Sequence, residues 1–265
     1  MSTPLADRVI EVAGLCKEFD GKRVVDDVAF TVTRGQTVAL LGANGAGKTT
    51  TIAMLLGLLL PTAGRIQMLG ENMVRHRYRV LGRINFSSPY VDLPRRLTVA
   101  QNLLFFARLY GVPDPKGRLR ELSEQLDLGP LLRQRIGALS AGQKTRASLA
   151  KALINRPEVI LLDEPTASLD PDTADWVRGY LETYQKRRGA AILLASHNMA
   201  EVERLAAFVL MMRGGRIVDR GTPAELIQRY GRHNLEEVFL DIVRETGAAR
   251  PSRPETRPEP GAAAR

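Results

Sequence analysis

The sequence predicts an α/β fold built on a largely parallel sheet, and three observations carry that expectation. Short apolar runs alternate with helical patterns along most of the chain. A glycine-rich loop lies between an all-apolar run and a helix-like stretch, and a second all-apolar run ends in two acids. A length of 265 residues suits one large domain, or one domain with an inserted lobe. Apolar content of 44% and charged content of 25% are ordinary for a globular chain, so a sizeable core is expected.

Taken in order, residues 9–13, 28–32 and 37–41 read as strands, with Asp20-Gly21 and Arg34-Gly35 as turns between them. After the glycine-rich loop, residues 48–59 have the composition of a buried helix closed by Pro61, and 64–69 read as a strand. From about 83 to 155 the patterns turn mostly helical (99–110, 117–126 and 142–154), as expected of an inserted lobe spanning about 85–155. Strand character returns at 159–163, followed by a helix at 173–188, a strand at 190–196 and a helix at 200–206. Strands at 208–213 and 216–219 flank the hairpin signal Gly214-Gly215, and two helices close the fold at 223–230 and 235–246. Residues 247–265 are mainly Pro, Arg, Ala and Glu and are expected to be a disordered tail after a domain covering 1–246.

The net charge of +9 points to an acidic partner: phosphate, anionic lipid or nucleic acid. A single cysteine, Cys16, excludes an internal disulfide and fits a reducing compartment. The longest apolar run, Ile52 to Leu60, is about half of the roughly 18 residues a membrane span requires. No secretion signal is visible at the N-terminus. The expectation is a cytoplasmic chain that reaches a membrane only through a partner.

Gly42-Ala43-Asn44-Gly45-Ala46-Gly47-Lys48-Thr49 fits the phosphate-loop pattern G-x-x-x-x-G-K-[ST], with an apolar strand before it and a helix after it. Glycines let the backbone curl so that successive N–H groups point at phosphate oxygens, and the helix N-terminus adds partial positive charge. Lys48 then reaches the β- and γ-phosphates, Thr49 offers its hydroxyl to Mg2+, and Thr50 follows on the same turn. Val159-Ile160-Leu161-Leu162-Asp163-Glu164-Pro165 puts two carboxylates at the C-terminal edge of a buried strand, where α/β sheets bind ligands. Asp163 suits the metal shell, and Glu164 suits the base that polarises an attacking water. Such a strand end alone is most often a solvated turn; paired with the loop, it indicates a nucleotide hydrolase.

Leu139-Ser140-Ala141-Gly142-Gln143 starts a helix, with Ser140 as N-cap and small residues leaving backbone amides open to an anion. In this place and order the sequence resembles the ABC ATPase family, whose signature is LSGGQ; Ala141 is the one departure. The resemblance covers about residues 8–245. It implies a P-loop nucleotide hydrolase core with a mainly parallel sheet, an N-terminal antiparallel β portion and an inserted helical lobe. It also implies ATP and Mg2+ as cofactors, bound between two subunits, with Ser140, Ala141, Gly142 and Gln143 closing on the opposite subunit's ATP. In the same terms, Ser168 and Asp170 in Ala167-Ser168-Leu169-Asp170 contact the opposite subunit. His197 is the switch histidine at the γ-phosphate, and Phe19 stacks on adenine. The family's Gln at the start of the helical lobe is missing from Asn85-Phe86-Ser87-Ser88-Pro89-Tyr90. Its nearest counterpart is Ser88, or Pro89 if the register slips by one, and a serine reaches the metal only through water. Gln101 lies on the following helix and is not a substitute.

Asn234-Leu235-Glu236-Glu237-Val238-Phe239-Leu240 resembles the ending of ATPases that serve exporters of the second type, whose permease is a separate polypeptide. The stretch Tyr90-Val91-Asp92-Leu93-Pro94 looks like the same group. The expected partners are therefore a second ATPase subunit, as a homodimer, and a separate transmembrane permease, with no nucleic acid. The cluster Arg75, His76, Arg77, Tyr78 and Arg79, with Arg83, Arg95 and Arg96, reads as a solvated face or as one turned to lipid headgroups or the permease. Two rival readings remain at this level: an ABC ATPase that serves no transporter, and a non-catalytic nucleotide-binding regulator.

Overall fold

A computed structural model describes residues 7–88, 92–167 and 169–244. The chain opens with a long hairpin, β1 (Arg8–Phe19) and β2 (Lys22–Thr33), in which Phe19 pairs with Lys22 across Asp20-Gly21. Both turn residues have positive φ, 48° and 77°, the backbone that an Asp-Gly hairpin turn supplies. These strands run well past the apolar stretches at 9–13 and 28–32. Their outer halves mix apolar with charged residues and lack the clean alternation that marks a strand in sequence. Strand β3 (Thr37–Leu41) is buried throughout, leads into the phosphate loop, and is followed by helix α1 (Lys48–Leu55). Helix α1 ends at Leu55, four residues short of the expected helix over 48–59, because Gly57 takes φ 67° and turns the chain.

Strand β4 (Ala63–Met68) pairs antiparallel with β1, and the short β5 (Glu71–Asn72) extends this sheet to the order β2-β1-β4-β5. Strand β6 (Ile84–Ser87) then joins a different sheet, parallel to β7 (Val159–Asp163), with Ile84 opposite Val159 and Ser87 opposite Leu162. A lobe boundary near 85 falls inside this strand. The polar Asn85 and Ser87 interrupt its apolar pattern, so its strand character is visible only once β7 lies beside it.

Helices α2 (Val99–Leu109), α3 (Pro115–Gln125) and α4 (Ala141–Leu153) occupy the stretch between those two strands. Gln101 completes a capping box with Thr98 at the start of α2, which accounts for it structurally. Helix α5 (Pro171–Arg188) is capped by Asp170 and closed by Gly189 in the left-handed region. Strand β8 (Ala191–Ser196), helix α6 (Met199–Leu205), strands β9 (Phe208–Arg213) and β10 (Arg216–Gly221), and helices α7 (Pro223–Tyr230) and α8 (Leu235–Arg244) complete the fold.

The six-stranded sheet has the order β10-β9-β3-β8-β7-β6, parallel except at the β9–β10 hairpin. One face packs with α1 against the antiparallel sheet, through Leu15, Val28, Leu40, Ile52, Ile66 and Leu193. The other face packs on α4 and α5 through Leu153, Ile160, Leu162, Leu181 and Leu194, and this core continues into α2 and α3. A third cluster seats α6, α7 and α8 on β3 and β9, using Val202, Leu226, Leu235 and Val238. The arrangement brings the C-terminal ends of β3, β7 and β8 to one edge. That edge is where an open α/β sheet forms its binding crevice.

Candidate functional site

The loop from Gly42 to Thr49 curls between β3 and α1. Gly47 sits as N-cap of α1 at φ 102°, and a Cβ there would lie 2.8 Å from the Val24 carbonyl oxygen, so the curl admits only glycine. No side chain caps α1 and no acid stands in its first turn, so its first amides and its positive dipole end stay available. The β9–β10 turn braces the loop from behind, where Gly215 N donates to Ala46 O at 3.1 Å. Lys48 is only 6% exposed; its Nζ donates to Gly42 O at 2.6 Å and to Ala43 O at 3.2 Å. Burial pushes the Lys48 ammonium down, and the charges of Glu164 and Asp163 oppose that shift. Asn44, Gly45, Gly47, Lys48, Thr49 and Thr50 line a cleft whose opposite wall is Asp163 and Glu164.

Sheet order places β7 two strands from β3, and this closes the cleft. Thr49 Oγ1 donates to Asp163 Oδ2 at 3.0 Å. Burial raises the Asp163 carboxyl, and the Thr49 hydrogen bond counters it. A hydroxyl and a carboxylate in contact, beside a phosphate-holding loop, are the hard oxygen donors that Mg2+ takes, so these residues fit that ion. Glu164 stands at φ 53°, a conformation rarely adopted by a residue with a side chain, and its N–H donates to Ala195 O at 2.8 Å. This turn aims its carboxylate back into the cleft, with Oε1 2.7 Å from His197 Nδ1 and 4.0 Å from Lys48 Nζ. The His197 N–H donates to the other oxygen at 3.4 Å. The loop, both acids and His197 thus meet at the ends of three strands.

The remaining candidates lie elsewhere. Phe19 is 43% exposed at the end of β1, with Lys17 Nζ 4.9 Å from its ring centre. Ser140 caps α4: its Oγ accepts from Gln143 N at 3.3 Å, and its own N–H donates to Gln143 Oε1 at 3.0 Å. Ser140, Ala141, Gly142 and Gln143 line a second hollow with Asp127, Arg146, Asp170 and Thr173. That hollow shares no residue with the phosphate-loop cleft. Ser88 is buried just after β6. Ser168 lies outside the described residues, as do Pro89, Tyr90, Val91 and the tail.

The sequence model of the family described as ABC transporter matches residues 25–167, more than half of the chain. This chain is an ABC transporter ATP-binding subunit. It is 38% identical over 242 residues to the Nod factor export ATP-binding protein I of Ralstonia nicotianae, covering 91% of this chain and 74% of that protein. It is 34% identical over 233 residues to the bacitracin transport ATP-binding protein BcrA of Bacillus licheniformis, covering 88% of this chain and 76% of that one. A solved structure of an ATP binding subunit of an ABC transporter superposes with a TM-score of 0.82 at 28% identity, covering 89% of this chain and all of that one. The two-sheet fold and the ATPase activity belong to this ABC family. No helix among the described residues is long and apolar enough to cross a membrane.

Sequence reasoning missed one residue of this ABC site. Glu201 on α6 is fully buried and accepts from Thr166 Oγ1 at 2.8 Å and from Ser196 Oγ at 2.7 Å. Thr166 follows Glu164 by two residues and Ser196 precedes His197, so Glu201 fixes the turn carrying the acid to the strand end carrying the histidine. Its sequence neighbourhood, Ala200-Glu201-Val202-Glu203, looks like any solvated helix start.

Proposed function

We propose that two copies of this chain close head to tail over two ATP molecules and so drive export through a separate transmembrane permease. The observation that carries this reading is the separation of the two hollows. One holds Lys48, Thr49, Asp163 and Glu164, the other Ser140 to Gln143 and Asp170, and each is half of a site. A second copy, turned about a two-fold axis, supplies the missing half to both at once.

In that reaction the amides of residues 43–49 cradle the phosphates, Lys48 exchanges its two loop carbonyls for β- and γ-phosphate oxygens, and Phe19 stacks on the adenine. Thr49 and Asp163 would hold Mg2+, and Ser88 would act on it only through water. When bound, the ion neutralises charge on the phosphates during transfer. Glu164 takes the proton of the attacking water, and His197 holds both that carboxylate and the γ-phosphate. Ser140 and Gly142 of the second copy, with the adjoining Ala141 and Gln143, bind the γ-phosphate from the far side, while Ser168 and Asp170 brace the contact. Products are ADP and phosphate. Loss of the γ-phosphate removes the bridge and the copies part. Helices α2 and α3 carry the movement to the permease, which holds this chain at the cytoplasmic face of the membrane. Export is supported by the relative named for Nod factor export and by the Leu235-Glu236-Glu237-Val238-Phe239-Leu240 ending of the chain.

Glu164→Gln tests the reading. Turnover should fall by a factor of about 10² to 10⁴, the usual share of a general base, while ATP traps the pair in sedimentation. Unchanged turnover refutes the assignment. Affinity capture from membranes should also recover a polypeptide with about six apolar spans; if only the ATPase returns, the export reading fails.

A further inference from the structure

A hollow of about 480 Å3 lies between α3 and α5, and the nucleotide chemistry does not use it. That volume is in the range of small-molecule sites. Helix α5 buries Val177 and Leu181 in the core beneath the sheet and turns a second stripe toward α3. The stripe is Trp176, Tyr180 and Tyr184, spaced one helical turn apart. The Trp176 and Tyr180 rings stack with centres 5.8 Å apart and planes 27° apart, and both stay half-buried. In a chain with 5% aromatic residues, three on one stripe exceed what a face meeting only water requires. Gly179 stands on the same wall and adds no side chain to fill the space.

The charge around the hollow is positive. Four arginines line it, Arg118, Arg156, Arg187 and Arg188, against two acids, Glu121 and Asp175. Arg118 Nη1 and Arg156 Nη2 share the one carboxylate of Glu121, at 2.8 and 2.7 Å. Burial would raise that carboxyl, yet the two guanidiniums bring it to about 2. Asp175 is spent on Arg204 of α6. Arg187 and Arg188 sit exposed in the last turn of α5, and neither forms an ion pair among the described residues. Arg188 donates to the Tyr184 hydroxyl, which keeps it at the aromatic wall.

An aromatic wall with a cationic end selects a flat apolar body that carries a negative group. We propose that this hollow binds a flat aromatic anion of roughly two or three fused rings, and that the occupant clamps α3 to α5 and slows ATP turnover. The carboxylate meets Arg187 and Arg188, and the rings lie along Trp176, Tyr180 and Tyr184. Helix α3 belongs to the inserted lobe and α5 packs on the sheet, so a ligand touching both walls restrains one against the other. The tie already present is slight: Tyr180 Oη donates to Gln125 Oε1 at 3.0 Å. Burial pushes that phenol up to about 12, so it keeps its proton and this bond. The slowing rests on the two-copy reading above, in which the lobe carries Ser140 to the other copy's ATP; the binding does not.

The binding experiment uses the full chain with ADP and Mg2+ saturating the phosphate-loop cleft, so that the probe cannot report from there. The probe is anthracene-9-carboxylate, read through the fluorescence of Trp176, the chain's one tryptophan. Quenching should saturate with a Kd of about 0.1–1 mM, the range for a ligand of that size. Anthracene-9-methanol, flat but uncharged, should bind at least about fivefold more weakly. The same loss is expected for the carboxylate on an Arg187→Gln/Arg188→Gln double variant. Gly179→Leu narrows the hollow. A Cβ at Gly179 meets the Arg204 guanidinium at 3.5 Å, an ordinary contact, and leucine favours a helix over glycine. This variant should therefore keep a Tm at or above wild type while losing about tenfold or more in affinity for the probe. With ATP in place of ADP, saturating probe should cut wild-type turnover at least about twofold and leave Gly179→Leu turnover unchanged. Equal binding of acid and alcohol, or equal binding by wild type and Gly179→Leu, overturns the site. Wild-type turnover that saturating probe does not change overturns the clamp. Sedimentation of Glu164→Gln with ATP is read separately: a monomer there refutes the two-copy reading, and the binding result still decides the site.

Discussion

Ser140→Asp separates the two tasks assigned to Ser140. As N-cap of α4, Ser140 accepts from Gln143 N and stands at a helix start with no acid in its first turn. Aspartate caps as well as serine does, and its charge favours the positive helix end by about 0.3–1 kcal/mol, so folding should be unchanged or slightly improved. As the residue that meets a triphosphate across the pair, the same aspartate brings like charges together. At about 4 Å and an effective dielectric near 20, each such contact costs about 4 kcal/mol, close to a thousandfold in association per site. The assay is sedimentation velocity with ATP, in a Glu164→Gln background so that the closed pair accumulates. Ser140→Asp should stay monomeric at ATP concentrations that fully pair the parent, with partial recovery at high salt. Ser140→Ala is the complementary case, losing about 1 kcal/mol of stability with the cap. If Ser140→Asp pairs like its parent, Ser140 does not face ATP and the head-to-tail arrangement is wrong.

Two further outcomes follow from the geometry. Gly47→Ala places a Cβ against the Val24 carbonyl at a φ of 102°, and should cost more than about 2 kcal/mol in nucleotide binding, stability or both, read by ADP titration and thermal melts. For Glu121, burial alone would raise the carboxyl, but hydrogen bonds and charge from Arg118 and Arg156 outweigh it and bring it to about 2 from a usual 4.5. The folded state therefore favours the ionised form; its stabilisation is present above about pH 4.5 and lost as the pH falls toward 2. Urea midpoints of wild type and Glu121→Gln should differ at pH 7 and converge near pH 2.

Much of the fold was legible because its signals are local. Asp20-Gly21 dictated a hairpin turn, and the unbroken apolar runs before Gly42 and Asp163 marked strands buried on both faces. Ser140 read as the N-cap of a helix, and it caps α4, where Gln143 completes a capping box that the structure adds. Strand β6 was missed because its polar Asn85 bonds across to Lys151 on α4 and to Asn155, partners far away in sequence. Glu201 was missed for the same reason: its two hydrogen bonds reach Thr166, 35 residues distant, and Ser196, across the turn from the strand.

The sequence alone determined which chemistry is present, since a curl of backbone amides, a loop lysine and a strand-end acid pair depend on residue type and short spacing. Tertiary structure decided where that chemistry meets. Only the strand order β10-β9-β3-β8-β7-β6 brings Thr49 to Asp163 across 114 residues, and only the packing of α4 turns Ser140 away from its own loop. Periodicity records which face of a strand is buried; it carries no record of which strand lies beside it.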